Sequence, residues 1–431
     1  MLFRSRGAGA QQAAALVVQR GSNNVLAAVG SDGYGDSHGG AIDFTRAIRS
    51  PGSTLKPFLY AAALQRGLLH PGDMLLDGPG QSAGIGNADS RYLGPLPPRQ
   101  ALANSRNVPA VDVLRRLGLG AGFDLFRTLG LHALDAAPDS LGLSMAIGAL
   151  PTSLDRLAGA YTALADDGVQ RGLVWYRGQA EAPPRRVFSA TAAREVGLFL
   201  SDPLARLPSF GRYGSTEYPF AAAVKTGTSQ GYRDAWTVAW SPRFLVAAWV
   251  GRSDAGTMAR LGGANSAADL VRAILLTLHH QVPGDLTDAS LAVPDGYVPA
   301  PVCAGPAETR GDSCGRTLLE WLPPTPPAPA PGRTPDVPAA DPAVRLSVVT
   351  PEAGSRIWHN PESPPAVDRL VLRAKATPHV PQVVWYVDGE PFALSDPDAP
   401  VAWPLRSGEH RFQIGLPLRP ERSRSVKLVV E

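Results

Sequence analysis

The segment Arg49-Ser50-Pro51-Gly52-Ser53-Thr54-Leu55-Lys56-Pro57-Phe58 sets a hydroxyl and an amine three residues apart. A serine hydroxyl is a weak nucleophile until a neighbouring base takes its proton. An uncharged lysine can be that base. Lysine's ordinary pKa of about 10.4 must then fall by roughly 3, a penalty of about 4 kcal/mol. Burial and a second cation nearby are the effects that lower it. Lys and Arg total 41, yet lysine occurs only at 56, 225, 375 and 427. Arginine cannot be deprotonated in a protein and cannot replace a lysine base. Amine chemistry is therefore sought at Lys56 and at Lys225, which sits in Val224-Lys225-Thr226-Gly227-Thr228-Ser229. By itself, Ser-x-x-Lys reads equally well as a serine and a solvated lysine on a surface helix.

The positioning element follows from Pro57. Proline deep in a helix loses a hydrogen bond and clashes with the preceding turn. It must sit in a first turn, so a helix is expected to begin near Ser53 and to run through the apolar Phe58–Gln65 until Gly67. An i, i+3 pair then shares one side, where backbone N–H groups are unpaired and the helix dipole favours negative charge. Further on, Pro109 breaks an apolar stretch. Asn104–Asn107, containing Ser105-Arg106-Asn107, is expected to turn between two helices. Ser105 and Asn107 alone suit a plain turn or cap, and Thr226-Gly227-Thr228 suits an ordinary strand end.

At 431 residues the chain allows two or three domains and a large core. Hydrophobic content of 44 % and 18 % charge describe an ordinary water-soluble composition, and a net charge of +3 gives no basic patch for nucleic acid. No apolar run spans a membrane and no signal peptide opens the chain, so either the protein is cytosolic or the N-terminus of a longer protein is missing. Cys303 and Cys314 are either a disulfide or two unpaired, partly buried thiols. The histidines lack metal-ligand spacing and no phosphate-cradling glycine loop occurs, so no metal or cofactor is expected.

Short apolar runs at 13–18 and 24–29, split by Gly21-Ser22-Asn23, read as a hairpin. Leu64–Pro98 reads mostly as loop, and helices are expected at 110–117, 154–165, 190–201 and 266–279. Runs at 221–226, 235–240 and 244–250 read as three strands. Strands from both ends with helices between them give an α/β (α+β) fold, an antiparallel five-stranded sheet flanked by helices. A stiff Pro/Ala-rich linker covers roughly 321–342. Alternating runs at 344–349, 369–374, 383–387, 409–414 and 425–430, with a hairpin turn at Asp388-Gly389, read as a small all-β Ig-like sandwich. The expected division is 1–290, a Cys-containing segment and linker over 291–342, and the sandwich over 343–431.

Ser53-Thr54-Leu55-Lys56, Ser105-Arg106-Asn107 and Lys225-Thr226-Gly227 stand in the order known as the signature of penicillin-binding proteins and class A β-lactamases. The wording Arg-Ser-Pro-Gly-Ser-Thr-Leu-Lys-Pro-Phe and Lys-Thr-Gly-Thr-Ser-Gln-Gly-Tyr-Arg-Asp-Ala-Trp resembles the transpeptidase half of class A bifunctional penicillin-binding proteins, 1C subgroup, over about residues 10–290. The cysteine segment and terminal sandwich look like that subgroup too. One departure is Phe44-Thr45-Arg46, where class A members often carry asparagine.

The resemblance implies the DD-peptidase/β-lactamase-like serine acyltransferase fold and crosslinking of peptidoglycan stem peptides, with β-lactams as inhibitors. It implies Ser53 as nucleophile, Lys56 as base and Ser105 as proton relay. Asn107, Lys225, Thr226, Gly227 and Thr228 are then substrate-binding: Asn107 on the substrate amide, Lys225 with Thr226 and Thr228 on the terminal carboxylate, Gly227 leaving room for the substrate backbone. The N–H groups of Ser53 and Thr228 would hold the oxyanion. Lys225 would be the second cation that keeps Lys56 neutral. Asp234 and Trp236 are read as structural. A membrane anchor and a glycosyltransferase domain normally precede such a domain, which implies a periplasmic location at the bacterial inner membrane. The sandwich is a candidate surface for a periplasmic protein partner.

Two rivals are weighed. The first is a hydrolase, either a DD-carboxypeptidase or a β-lactamase; a class A β-lactamase needs a glutamate that activates a deacylating water. The glutamates between the second and third motifs, Glu181, Glu195 and Glu217, lack the Glu-x-x-Leu-Asn setting of class A β-lactamases. A non-catalytic sensor or scaffold would have no use for an intact trio.

Overall fold

The computed structural model describes residues 7–80, 82, 84–132, 138–259, 261–280, 291–303, 317–324, 344–358, 369–380, 383–416 and 422–431. The central sheet is built from both ends of its domain. β1 (Gln12–Gln19) and β2 (Val25–Val29) come first, and β3 (Ala223–Thr228), β4 (Asp234–Trp240) and β5 (Phe244–Gly251) come last. All neighbours pair antiparallel in the order β2-β1-β5-β4-β3. This is the five-stranded sheet expected from the sequence.

Alternation along a strand sends successive side chains to opposite faces. In β1, Ala14, Leu16 and Val18 enter one core, and Ala13, Ala15 and Val17 enter another. β5 divides likewise, with Leu245, Ala247 and Trp249 on one side and Val246, Ala248 and Val250 on the other. The sheet is therefore a middle layer. The larger core holds α1 (Lys56–Gln65), α2 (Pro98–Ala103), α3 (Asn107–Leu117), α4 (Leu119–Thr128), α5 (Leu154–Ala165) and α6 (Ala190–Ser201). The opposite face is covered by α7 (Ala267–His280) through Ala267, Val271 and Leu275. β3 ends at one sheet edge, and the turn before α1 packs against it.

Three features depart from the sequence reading. α4 was not anticipated. The Gly/Pro-rich stretch after α1 contains a ribbon, Leu75–Asp77 paired with Gly94–Leu96. Part of the expected cysteine segment and linker is the paired ribbon β6 (Val298–Cys303) and β7 (Thr317–Leu322). The question of a Cys303–Cys314 bond lies outside the described residues.

The C-terminal region is all β. One sheet has the order 345–350, 369–377, 401–404; the other has 355–357, 426–430, 408–415, 383–387, 390–395. Leu372 and Trp403 from the first meet Trp385, Phe412, Ile414 and Leu428 from the second in one core. The strands at 355–357, 390–395 and 401–404 add to those expected.

Candidate active site

The serine sits on a tight turn rather than in the α-helix proper. Gly52–Leu55 forms a 3₁₀ turn that runs directly into α1, with Pro57 in the first turn of the helix. A 3₁₀ turn has three residues per turn, so i and i+3 eclipse. Ser53 and Lys56 are such a pair, joined by Lys56 N–H donating to Ser53 O. The turn is held from several sides. Tyr161 Oη donates to Thr54 O (2.6 Å), Thr54 Oγ1 to Pro51 O (2.9 Å) and Trp236 Nε1 to Ser50 O (2.8 Å). Gly52 has φ +55°, and a Cβ there would stand 2.7 Å from Thr228 N. This close approach sets the backbone beside Ser53 against that of Thr228, the two proposed oxyanion donors.

Lys56 is fully buried. Its amine donates to Ser105 O (2.5 Å) and to Asn107 Oδ1 (2.6 Å). Among the described residues no hydrogen bond joins it to Ser53 Oγ. A neutral amine has two hydrogens and one lone pair, so two acceptors leave the lone pair uncommitted. Burial pushes the Lys56 pKa well below the usual lysine range, and the neighbouring charges of Lys225 and then Arg106 push it further; Asp77 opposes them. Of the two cationic neighbours, Lys225 has the larger effect.

The second motif lies between α2 and α3. Asn104 fixes the end of α2: its Nδ2 donates to Ala205 O (2.6 Å) and Leu207 O (3.1 Å), and its Oδ1 accepts from Ser209 N (2.8 Å). Ser105 follows with φ +58°, a left-handed conformation uncommon outside glycine. Its hydroxyl accepts from Lys225 Nζ at 2.7 Å. Asn107 is more engaged than the sequence suggested. Besides Oδ1 on Lys56, its Nδ2 donates to Gly86 O (2.8 Å) and its backbone N–H to Asn87 Oδ1 (2.8 Å). In this arrangement its side chain holds the Lys56 amine.

On β3, Lys225 is buried and donates also to Thr226 O (2.7 Å). Burial, helped by Arg206, lowers its pKa to about 7. Thr226 is nearly buried, and Thr228, next to the turn, accepts at Oγ1 from Gly263 N (3.1 Å). Gly227 has a packing role besides the one expected from the sequence. A Cβ there would stand 2.4 Å from Pro51 O and 2.7 Å from Thr54 Cγ2. The missing side chain makes room for the serine turn of this same chain. Asp234 and Trp236 are structural, as expected. The carboxylate accepts from Ser229 Oγ (2.9 Å) and Trp249 Nε1 (3.0 Å), and the Trp236 indole is fully buried.

Sequence reasoning missed the support around Arg106. This buried guanidinium pairs with Asp77 (2.8 Å) and Asp89 (2.8 Å), and Asn87 Nδ2 donates to Asp77 Oδ1 (2.6 Å). The signal available was a charged residue inside the Ser105-Arg106-Asn107 motif.

The chain is similar to known proteins over both of its parts. Residues 13–275 match the penicillin binding protein transpeptidase domain family, and residues 338–414 match the Penicillin-Binding Protein C-terminus Family. Penicillin-binding protein 1C of Escherichia coli (strain K12) is 36 % identical over 323 residues, which is 72 % of this chain and 40 % of that protein. Penicillin-binding protein 1A of Neisseria lactamica is 29 % identical over 51 % of this chain and 30 % of its own length. The chain thus spans well under half of either relative. The apo TP domain of Burkholderia pseudomallei penicillin-binding protein 3 superposes with a TM-score of 0.53 at 22 % identity, covering 67 % of this chain and 93 % of that one. At that identity the likeness is one of fold. The chain belongs to the penicillin-binding protein transpeptidase family, and the pairing of that domain with the C-terminal family is that of a class A, 1C-like member.

Proposed function

We propose that this chain carries a serine DD-transpeptidase that crosslinks peptidoglycan stem peptides and is acylated by β-lactams. The observation that carries the reading is the Lys56 amine: fully buried, lowered well below the usual lysine pKa, with two acceptors on it. Ser53 Oγ attacks the carbonyl carbon between two D-alanines while its proton passes to Lys56 Nζ. The oxyanion forms against the N–H groups of Ser53 and Thr228; one such donor is typically worth about 3 kcal/mol. Ser105 passes a proton to the departing D-alanine amine as the C–N bond breaks. Lys225, with Thr226 and Thr228, holds the substrate carboxylate. The amine of a second stem peptide then attacks the Ser53 ester, forming the new amide and returning the proton to Ser53.

The surroundings of the candidate glutamates speak against a class A β-lactamase. Glu217 is tied to Arg212 (2.9 Å), Glu195 bonds Tyr297, and Glu181 is exposed. The test is intact-mass analysis after incubation with benzylpenicillin, followed by peptide mapping. One stable adduct on the Ser53 peptide, absent from Ser53→Ala, is expected. Rapid steady turnover of a chromogenic β-lactam would replace this reading with a hydrolase.

A further inference from the structure

A cavity of about 460 Å³ opens away from the three motifs, between the C-terminal end of α1, the start of α6 and the β6–β7 ribbon. Gln65, on its wall, stands about 13 Å along α1 from Lys56 at 1.5 Å per residue. Leu69, Val302 and Leu322 give it apolar sides. Glu195, only 4 % exposed, and Asp73 supply its carboxylates, and among the described residues no Lys or Arg lines it.

Glu195 is unlike the other buried carboxyls. Among the described residues these are Asp77, Asp234 and Glu320. Asp77 pairs with Arg106 and Glu320 with Arg99, while Asp234 receives a donor on each oxygen. Glu195 has Tyr297 as its hydrogen-bond partner and, among the described residues, no cation. A buried carboxylate without a cation is costly, and burial, with Glu320 nearby, raises its pKa to about 7 against the opposing Tyr297 bond. Pockets of this size, apolar with a few convergent polar groups, are typical of ligand sites.

We propose that this cavity binds a primary ammonium with a short apolar body, the head at Glu195 and the body against Leu69, Val302 and Leu322. Asp73 adds negative potential at the same site; its Oδ2 accepts from His70 N (2.9 Å). The occupant supplies the cation that this carboxyl lacks. The inference is independent of the chemistry proposed for Ser53.

Titration calorimetry of the full chain with hexylammonium, hexanol and hexanoate tests it. At pH 8 hexylammonium is expected to bind one to one, at least tenfold more tightly than either analogue. Its affinity should fall about tenfold from pH 8 to pH 6, as Glu195 takes up a proton. Among the described residues, the titratable groups that share the cavity with Glu195 or act on it are His70, Asp73, Tyr297 and Glu320, the last paired with Arg99. Histidines gain charge over this same range, so Glu195→Gln is the separating variant: it should lose both the tenfold preference and most of the pH dependence. Gly72→Leu is the second variant. A Cβ at Gly72 would lie 3.6 Å from Val302 and 3.9 Å from Leu322, so a leucine fills the cavity from ordinary contact distance. It should abolish hexylammonium binding with the thermal unfolding midpoint retained. Equal binding of hexanol, binding unchanged in both variants, or no binding by hexylammonium would each overturn the proposal.

Discussion

Lys225 reaches from the edge of the sheet to the Ser105 hydroxyl at 2.7 Å, while the Ser105 carbonyl accepts from Lys56 at 2.5 Å. One residue thus touches both amines, which are asked to hold opposite protonation states. Lys56 must be neutral to act as base, and Lys225 must be protonated to hold a carboxylate.

The pH profile of acylation should carry both demands. Rate rises with pH as Lys56 loses its proton, at a pH well below the ordinary lysine range. It falls again as Lys225, lowered to about 7 by burial, loses its own. The second-order rate constant with benzylpenicillin, measured from pH 5 to 10, should therefore be bell-shaped. Lys225→Arg keeps its charge throughout, so it should remove the alkaline limb, though with a lower maximum. A descending limb unchanged in that variant would assign it to another group.

Lys56→Arg tests the base directly. The charge is kept, but a guanidinium is not deprotonated in a protein. Loss of the proton acceptor should slow acylation of Ser53 by about 10³-fold, the middle of the usual range for general base catalysis. Fluorescent penicillin labelling over time measures this, and normal labelling would refute the assignment.

Stability should change in the opposite direction. Lys225 has a folded-state pKa below its unfolded value, so between pH 7 and 10 the unfolded chain binds more protons and stability rises with pH. The buried amine is destabilising at neutral and lower pH. Lys225→Met, which removes the titrating group and keeps the volume, should raise the thermal midpoint at pH 6 while abolishing activity. The gain should shrink as pH approaches 10. A variant less stable than the parent at pH 6 would show that the bonds to Ser105 and Thr226 outweigh burial.

Much of this site was legible because its parts are local. The serine turn announces itself through Pro57, the second motif through Pro109, and β3–β5 through apolar runs broken by turns. What stayed hidden depends on distant partners. Asp77, Asn87 and Asp89 sit in a Gly/Pro-rich stretch whose composition reads as loop whether it is solvated or folded over a buried arginine. α4 contains Gly120 and Gly122, poor helix formers, and forms because Phe123 and Phe126 are buried in the main core. That Gly227 also packs against Pro51 and Thr54 is visible only in the fold.

Gly227→Ala should therefore act as a packing mutation with a catalytic consequence. The added methyl cannot fit beside Pro51 O at 2.4 Å unless β3 and the serine turn separate. Overpacking of this kind costs about 1–3 kcal/mol. The same movement carries Thr228 N away from Ser53. Acylation should drop at least 100-fold with a folded protein still present, judged by circular dichroism and mass analysis together. Full acylation would mean that the turn tolerates the shift.

The last prediction concerns where the catalytic unit ends. Arg99 on α2 donates to Glu320 on β7, Nε to Oε2 at 2.7 Å and Nη2 to Oε1, and both residues are buried. α2 leads directly to Ser105, so the ribbon that follows the matched transpeptidase region is fastened to the second motif. Removing one partner of a buried pair costs about 3–5 kcal/mol, less here because Asp202 stays 3.5 Å from Arg99. Glu320→Ala should lower the thermal midpoint by several degrees, whereas a chain ending at residue 342 should acylate as the full chain does. A chain ending at 290 loses β6 and β7 and exposes Arg99 and the apolar cavity wall. It should be unstable and poorly acylated. Comparable labelling of the two truncations would place the end of the unit before the ribbon and reduce the Arg99–Glu320 pair to a passive contact.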